Sequence, residues 1–75
     1  MGIQVTREEA LEIARKDALN AYSDLTAYEV KIRFAEELCI WFVDYELRDS
    51  RSQGGGPHYE ISAETGVILS RRYEQ

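Results

Sequence analysis

The stretch YEVKIRFAEELCIWFVDYELR (residues 28–48) decides the fold, because apolar and polar side chains alternate along it. In its first half the apolar residues fall at every second position: Tyr28, Val30, Ile32 and Phe34. The second half repeats the pattern with Cys39, Trp41, Val43, Tyr45 and Leu47. This period is typical of strands with one face on a core and one in water. With residues 35–37 as a short polar turn, the stretch is predicted to form a β-hairpin.

Two residues break this alternation. Ile40 and Phe42 fall on the face that should be wet, together with Asp44. One interpretation is that the N-terminal arm covers them through Ile3 and Val5. The other is that they mark a surface for a partner or for a second copy of the chain. The sequence leaves both interpretations open.

The segment before the hairpin is predicted to be a helix. Thr6 is followed three residues later by Glu9, which is the spacing of a capping box. The residues after it place a mostly alanine stripe on one helical face: Ala10, Leu11, Ala14, Ala18, Ala21, Tyr22 and Leu25. Small side chains allow a helix to approach a flat surface such as a sheet closely.

The segment SQGGGPHYEISAETGVIL (residues 52–69) predicts two more strands. Pro57 fits the first position of a strand, where a missing N–H costs least. Gly66 supplies the positive φ that a hairpin turn needs. Residues 67–73 are the predicted fourth strand, and its register is open: either Ile68 or the pair Val67 and Leu69 faces the core.

These elements predict a single α+β domain over residues 1–75, in which one N-terminal helix packs on a four-stranded antiparallel meander sheet. The helix must cover one sheet face, because the sequence offers nothing else to do so. A chain of this length buries only roughly 60% of its unfolded surface, so we expect a thin core.

Charge and cysteine content restrict the function and its compartment. The net charge of −5 disfavours nucleic acid, which needs a basic patch. It either steers a basic protein partner or serves solubility alone. The single cysteine, Cys39, cannot form an internal disulfide, and the N-terminal residues show no signal-peptide pattern. We therefore expect a cytoplasmic protein that does not span a membrane.

No catalytic, metal or cofactor site is predicted. The glycines at 54–56 precede a proline and a strand, whereas a phosphate cradle requires a helix N-terminus. One histidine and one cysteine are too few for a zinc site. Nucleophilic catalysis would require Cys39 to meet His58 as its base, and Cys39 is predicted to lie in the core.

Recognition of a protein is the remaining function class. The predicted partner-binding residues combine the out-of-pattern apolar pair with the glycine-rich loop: Ile40, Phe42, Gly54, Gly55, Gly56 and His58. We expect a non-enzymatic module that binds or inhibits a protein partner by steric occlusion. Asp44, Glu46 and Asp49 would raise its on-rate more than its affinity. A self-associating structural domain, joined through Ile40 and Phe42, is the alternative.

Three motifs resemble PepSY-type domains across nearly the whole chain. The opening helix TREEALEIA carries Thr6, Glu8, Glu9, Ala10, Ile13 and Ala14 of that pattern. The strand WFV (residues 41–43) carries its tryptophan and valine. The closing hairpin carries Tyr59, Ile61, Ala63, Thr65, Gly66 and Ile68. The resemblance implies a module associated with peptidase inhibition, with no catalytic residues to carry over.

The same plan, with GGP (residues 55–57) before the third strand, is similar to small cystatin-like immunity proteins of bacterial toxin systems. Such proteins are usually cytoplasmic and often acidic, and they bind a toxin. This second resemblance implies a toxin rather than a peptidase as the partner.

Overall fold

The computed structural model of the protein describes residues 4–22, 24–48 and 56–73. Within these residues the chain forms one helix and four strands: α1 Arg7–Ala21, β1 Tyr28–Ala35, β2 Ile40–Leu47, β3 Pro57–Ser62 and β4 Ile68–Tyr73. The strands form one antiparallel sheet in the order β1-β2-β3-β4, with α1 packed against one face. The predicted α+β fold is therefore confirmed.

Helix α1 begins at the predicted capping box. The Thr6 hydroxyl accepts from the Glu9 backbone N–H at 3.1 Å, and the Glu9 carboxylate accepts from the Thr6 N–H at 2.8 Å. The last turn closes where the Tyr22 N–H donates to the Ala18 carbonyl at 2.7 Å. Reciprocal capping satisfies two backbone donors that the first turn would otherwise leave without partners.

The alanine stripe of α1 is the surface that meets the sheet. Ala10, Ala14 and Ala18 are fully buried, as predicted. Ala21 was placed in the same stripe, and that prediction is wrong because Ala21 is exposed in the last turn. Ile13, which lies to the side of the stripe, packs against the core instead. Small side chains thus bring the helix backbone close to the strands.

The core lies between α1 and the two central strands. Val43 and Tyr45 of β2 and Tyr59 and Ile61 of β3 are buried on the helix side. The strand register sets Val43 opposite both Ile32 and Tyr59, so the predicted alternation of the first hairpin holds in the pairing. We call this side of the sheet the helix face.

The turn of the first hairpin differs from the prediction. Strand β1 includes Ala35, and the turn occupies residues 36–39. Cys39 was predicted as a core-facing strand residue, but it ends the turn at φ 54° and is only half-buried. A left-handed residue here reverses the chain into β2 at a steric cost that the alternation pattern cannot reveal. The Cys39 carbonyl accepts from the Ala63 N–H at 2.9 Å, which fixes the turn to β3.

The N-terminal arm lies on the helix face of the sheet. The N–H groups of Gln4 and Val5 both donate to the Ala63 carbonyl at 2.9 Å, and Trp41 Nε1 donates to the Val5 carbonyl at 2.9 Å. Trp41 shares the helix face with Val43, so the buried Val5 cannot cover Ile40 and Phe42 on the other side. That interpretation is wrong for Val5, and Ile3 lies outside the described residues.

A β-bulge settles the register of β4. Ile61 pairs with Ile68 and Glu60 with Ser70, so Leu69 has no partner on β3. Ile68 packs against the core, whereas Leu69 is 55% exposed. Gly66 has φ 82°, as the turn requires. Of the two registers left open, the one with Ile68 inside is correct.

Candidate functional site

The sheet face opposite α1 is the candidate site, and we call it the open face. Alternation along the strands places thirteen side chains on it. They are Glu29, Lys31, Arg33, Ala35, Ile40, Phe42, Asp44, Glu46, His58, Glu60, Ser62, Ser70 and Arg72. Within residues 4–22, 24–48 and 56–73, no helix or strand covers this face.

An aromatic–arginine pair occupies the middle of the open face. Arg33 and Phe42 are direct partners across β1 and β2, and the guanidinium carbon lies 4.4 Å from the centre of the ring. Such a stack stabilises by about 0.5–1 kcal/mol at an exposed site. Phe42 and the neighbouring Ile40 are half-buried. The two apolar residues and the flat guanidinium together present the side-chain types that anchor protein interfaces.

A shallow depression opens beside Phe42, with a cavity volume of about 20 Å³. Its walls are polar and include Asp44, His58, Glu60 and Arg72. Pockets for small-molecule ligands usually enclose about 300–1,000 Å³. The depression is far smaller than this and open to solvent, so it is too small for a small-molecule ligand.

His58 is held within this wall by its strand partner. His58 Nδ1 lies 2.7 Å from Asp44 Oδ1, and the two residues face each other across β2 and β3. The His58 side chain is 18% exposed, so most of the ring is shielded from solvent. Asp44 orients the imidazole and limits the ways in which the ring can reach an approaching partner.

Charges of both signs surround the aromatic pair. Four acidic and three basic side chains share the face: Glu29, Asp44, Glu46 and Glu60 with Lys31, Arg33 and Arg72. Lys31 and Glu46 form an ion pair at 3.2 Å. Because the face is nearly balanced, the net charge of −5 does not reside on it. Electrostatic complementarity between this face and a partner would therefore depend on individual charged side chains and not on the net charge of the face.

The negative charge collects at one end of the sheet instead. Both hairpin turns and the start of α1 meet there, because Ala63 bonds to Cys39, Gln4 and Val5. This acidic end carries Glu8, Glu9, Glu36, Glu37 and Glu64. Leu38 is 63% exposed among these glutamates. A basic surface on a partner would therefore be drawn toward this end first.

Of the glycine-rich loop, which belongs to the predicted site, the structure describes only Gly56. Gly54, Gly55 and Asp49 lie outside the described residues. Gly56 is buried, and a Cβ added to it would lie 2.8 Å from the Tyr45 Cβ and 2.9 Å from the Tyr28 ring. Gly56 is thus required for packing between two tyrosines, and it presents no surface to a partner.

The chain does not bring its one cysteine to its one histidine. Cys39 lies in the β1–β2 turn, whereas His58 faces Asp44, five positions further along β2. At about 3.3 Å per residue the two residues are roughly 16 Å apart. In the described part of the chain, no group of three potential ligands could hold a metal ion, and no helix is long and apolar enough to cross a membrane.

Sequence reasoning missed a polar cluster around Asp17. Its carboxylate accepts from the hydroxyls of Tyr59 at 2.9 Å and Tyr73 at 2.5 Å, and it pairs with Arg71 at 2.8 Å. Burial, followed by the adjacent Asp17 carboxylate, raises the pKa of Tyr59 well above its usual value. The sequence did offer one sign of this cluster: Asp17 lies three residues after Ala14, so its carboxylate falls beside the buried alanine stripe of α1. This cluster joins α1 to β3 and β4 and is structural.

No family model, curated protein or solved structure matches the chain. The resemblance to PepSY-type domains and to cystatin-like immunity proteins therefore stays a prediction.

Proposed function

We propose that the protein is a non-enzymatic module that binds or inhibits a protein partner by steric occlusion, with the open face as its contact surface. The observation that carries the proposal is the stacked Arg33–Phe42 pair, which lies beside Ile40 on a face that no described element covers. Aromatic and arginine side chains supply most of the energy in protein interfaces when a partner excludes water from them.

The rest of the face supports a rigid binding surface. Four hydrogen-bonded strands hold Phe42 and Ile40 in place, so little side-chain and backbone freedom is lost on binding. Charged residues around Phe42 form the polar rim that such interfaces have. The sheet would cover part of the partner's surface and so prevent other molecules from reaching it.

Negative charge favours a partner with a basic surface. The acidic end raises the local concentration of such a partner, whereas Asp44 and Glu46 on the open face add less because His58 and Lys31 pair with them. These charges act on the association rate more than on the final affinity.

Within this class, the PepSY-type resemblance favours a peptidase-like partner. The alternative is a cytoplasmic immunity protein that neutralises a bacterial toxin, which the net charge of −5 favours. Both versions use the same surface and the same occlusion. They differ in the partner, which an experiment must identify.

A second candidate is self-association through the same face. Ile40 and Phe42 are half-buried apolar residues on a sheet with one uncovered side, and two such faces can stack at about 10 Å. In this version the protein is a structural domain and its partner is a second copy.

The test begins with affinity capture from the native host, followed by binding measurements on the purified partner by calorimetry. We expect Phe42→Asp to weaken binding at least about tenfold, because it replaces the aromatic anchor with a second carboxylate opposite Glu60. Circular dichroism should show that the variant keeps its helix. Phe42→Ala serves as a milder variant if the aspartate prevents folding.

The matched control is Leu19→Asp, which makes the same kind of change at a residue of α1 that is 43% exposed and lies outside the open face and the acidic end. We expect Leu19→Asp to bind like the wild type. If both variants bind equally well, the open face is not the contact surface and the proposal is wrong. Light scattering on the same samples separates the second candidate, which requires a dimer that Phe42→Asp dissociates.

A further inference from the structure

The two edges of the sheet are built differently. At the β4 edge, the bulge at Leu69 interrupts the ladder. A bulge is one of the devices that protect an edge strand from pairing with another chain. Both edge strands carry charged side chains, so the bulge is the difference between them. Strand β1 has neither a bulge nor a proline over its eight residues, and its register with β2 is unbroken. β1 is therefore the edge that is ready to accept another strand.

The direction of the main-chain groups follows from two hydrogen bonds at the ends of β2. The Arg48 N–H donates to the Ala27 carbonyl, and the Ala63 N–H donates to the Cys39 carbonyl. In an antiparallel ladder these bonds recur at every second residue. Glu29, Lys31 and Arg33 thus bond to β2, and the N–H and C=O groups at positions 30, 32 and 34 point away from the sheet.

The side chains of β1 also separate into two sets. Tyr28, Val30 and Ile32 lie on the helix face, where Val30 is 41% exposed because α1 packs over β2 and β3. Glu29 and Lys31 lie on the open face, with charges of opposite sign two residues apart. Two copies of such a strand, paired antiparallel, can therefore set the positive side chain of one opposite the negative side chain of the other.

The charges on β1 distinguish the registers that would pair the outward main-chain groups of two antiparallel β1 strands. A register centred on Ile32 sets Lys31 opposite Arg33 of the other copy, and one centred on Lys31 sets two lysines opposite each other. The register centred on Val30 sets each Glu29 opposite Lys31 of the other copy and brings no like charges together.

We propose that β1 pairs with β1 of a second copy of this chain in the register centred on Val30. The two sheets then form one antiparallel sheet of eight strands. A two-fold axis perpendicular to the sheet keeps both helices on one side and both open faces on the other. The exposed Val30 side chains meet at the axis, and Tyr28 of each copy lies opposite Ile32 of the other.

This dimer is independent of the proposed function, because it uses an edge and leaves the open face uncovered. Five residues of each strand pair, so the buried area is small and the association is reversible and dependent on concentration. The two open faces become adjacent in the dimer, so a partner with two sites would bind it more tightly than a monomer.

Sedimentation equilibrium of the full chain over a concentration series tests the proposal. We expect a monomer–dimer equilibrium that Lys31→Glu weakens at least about tenfold, because it sets two glutamate pairs against each other. Glu29→Lys should weaken it likewise. The double variant Glu29→Lys/Lys31→Glu restores both ion pairs, and we expect dimerisation to return to the wild-type level. Circular dichroism confirms that each variant is folded.

Arg72→Glu is the matched control, since it reverses a charge on the open face at the other edge. We expect it to leave the dimer unchanged. A chain that stays monomeric at millimolar concentration would overturn the proposal. So would a dimer that the double variant fails to restore, or one that Phe42→Asp dissociates while Lys31→Glu does not. The Phe42 outcome would indicate stacking of open faces instead.

Discussion

The two faces of the sheet come from the same four strands, yet they differ in how completely their side chains are buried. On the helix face, Val43, Tyr59 and Ile61 are at most 1% exposed, and alanines bring α1 close to them. On the open face, Phe42 and Ile40 remain half-buried, and charged residues lie opposite Phe42 on both neighbouring strands. Most of the buried apolar contact is thus on the helix face, so side chains on the open face can change at little cost in stability. Substitutions on each face, and at the border between them, test this division.

The largest effect is expected from the same substitution made once on each face. Ile61→Ala removes a fully buried side chain and should lower the free energy of unfolding by about 2–5 kcal/mol. Ile40→Ala on the open face should cost less than about 1 kcal/mol. Urea denaturation followed by circular dichroism measures both. Equal losses would mean that the open face contributes to the core.

A smaller effect is expected at the polar border of the helix face. Asp17→Ala leaves the buried Tyr59 hydroxyl without its acceptor and should lower the free energy of unfolding by about 1–3 kcal/mol. Asp17→Asn keeps an acceptor for the tyrosines and gives up the ion pair with Arg71, so its loss should be smaller. If alanine and asparagine prove equally costly, the hydroxyl bonds are not what stabilises this border.

The smallest effect is expected from alkaline pH. Burial raises the pKa of Tyr59 and of Tyr45 above the usual value of 10.0, so both phenols keep their protons in the folded state after the unfolded chain has lost them. Their contribution to stability is complete below pH 10 and declines as the pH rises further.

Urea denaturation at pH 8, 9, 10 and 11 should therefore show stability falling above pH 10. Tyr59→Phe should make the loss of stability smaller, because it removes one of the two phenols whose pKa is raised by burial. If the wild type is equally stable at pH 9 and pH 11, then tyrosine burial on the helix face is less complete than the contacts indicate.

Features set by local chemistry could be predicted from the sequence. The capping box at Thr6 and Glu9 depends on residues three apart, and the turn at Gly66 depends on one positive φ. The alternation of apolar and polar residues located the strands, because odd- and even-numbered residues of a strand lie on opposite faces of the sheet. The separation of Ile40 and Phe42 from the core followed from the same rule and supplied the candidate site.

Features set by contacts between distant segments could not be predicted. The bulge at Leu69 depends on how β4 meets β3, and the sequence left two registers equal. Gly56 looked like part of a binding loop, because only the packed tyrosines reveal why it must lack a side chain. Asp17 is 54 residues from Arg71, so no local pattern joins them.

The hydrogen bond from Trp41 to the Val5 carbonyl makes the fluorescence of this tryptophan sensitive to the position of the N-terminal arm. Trp41 is the single tryptophan, and its indole touches the arm through Nε1 and the Phe34 ring at 4.9 Å between centroids. Detachment of the arm from the sheet would change the polarity around the indole. Intrinsic fluorescence can therefore follow the loosening of this corner separately from global denaturation, without a dye or an engineered label.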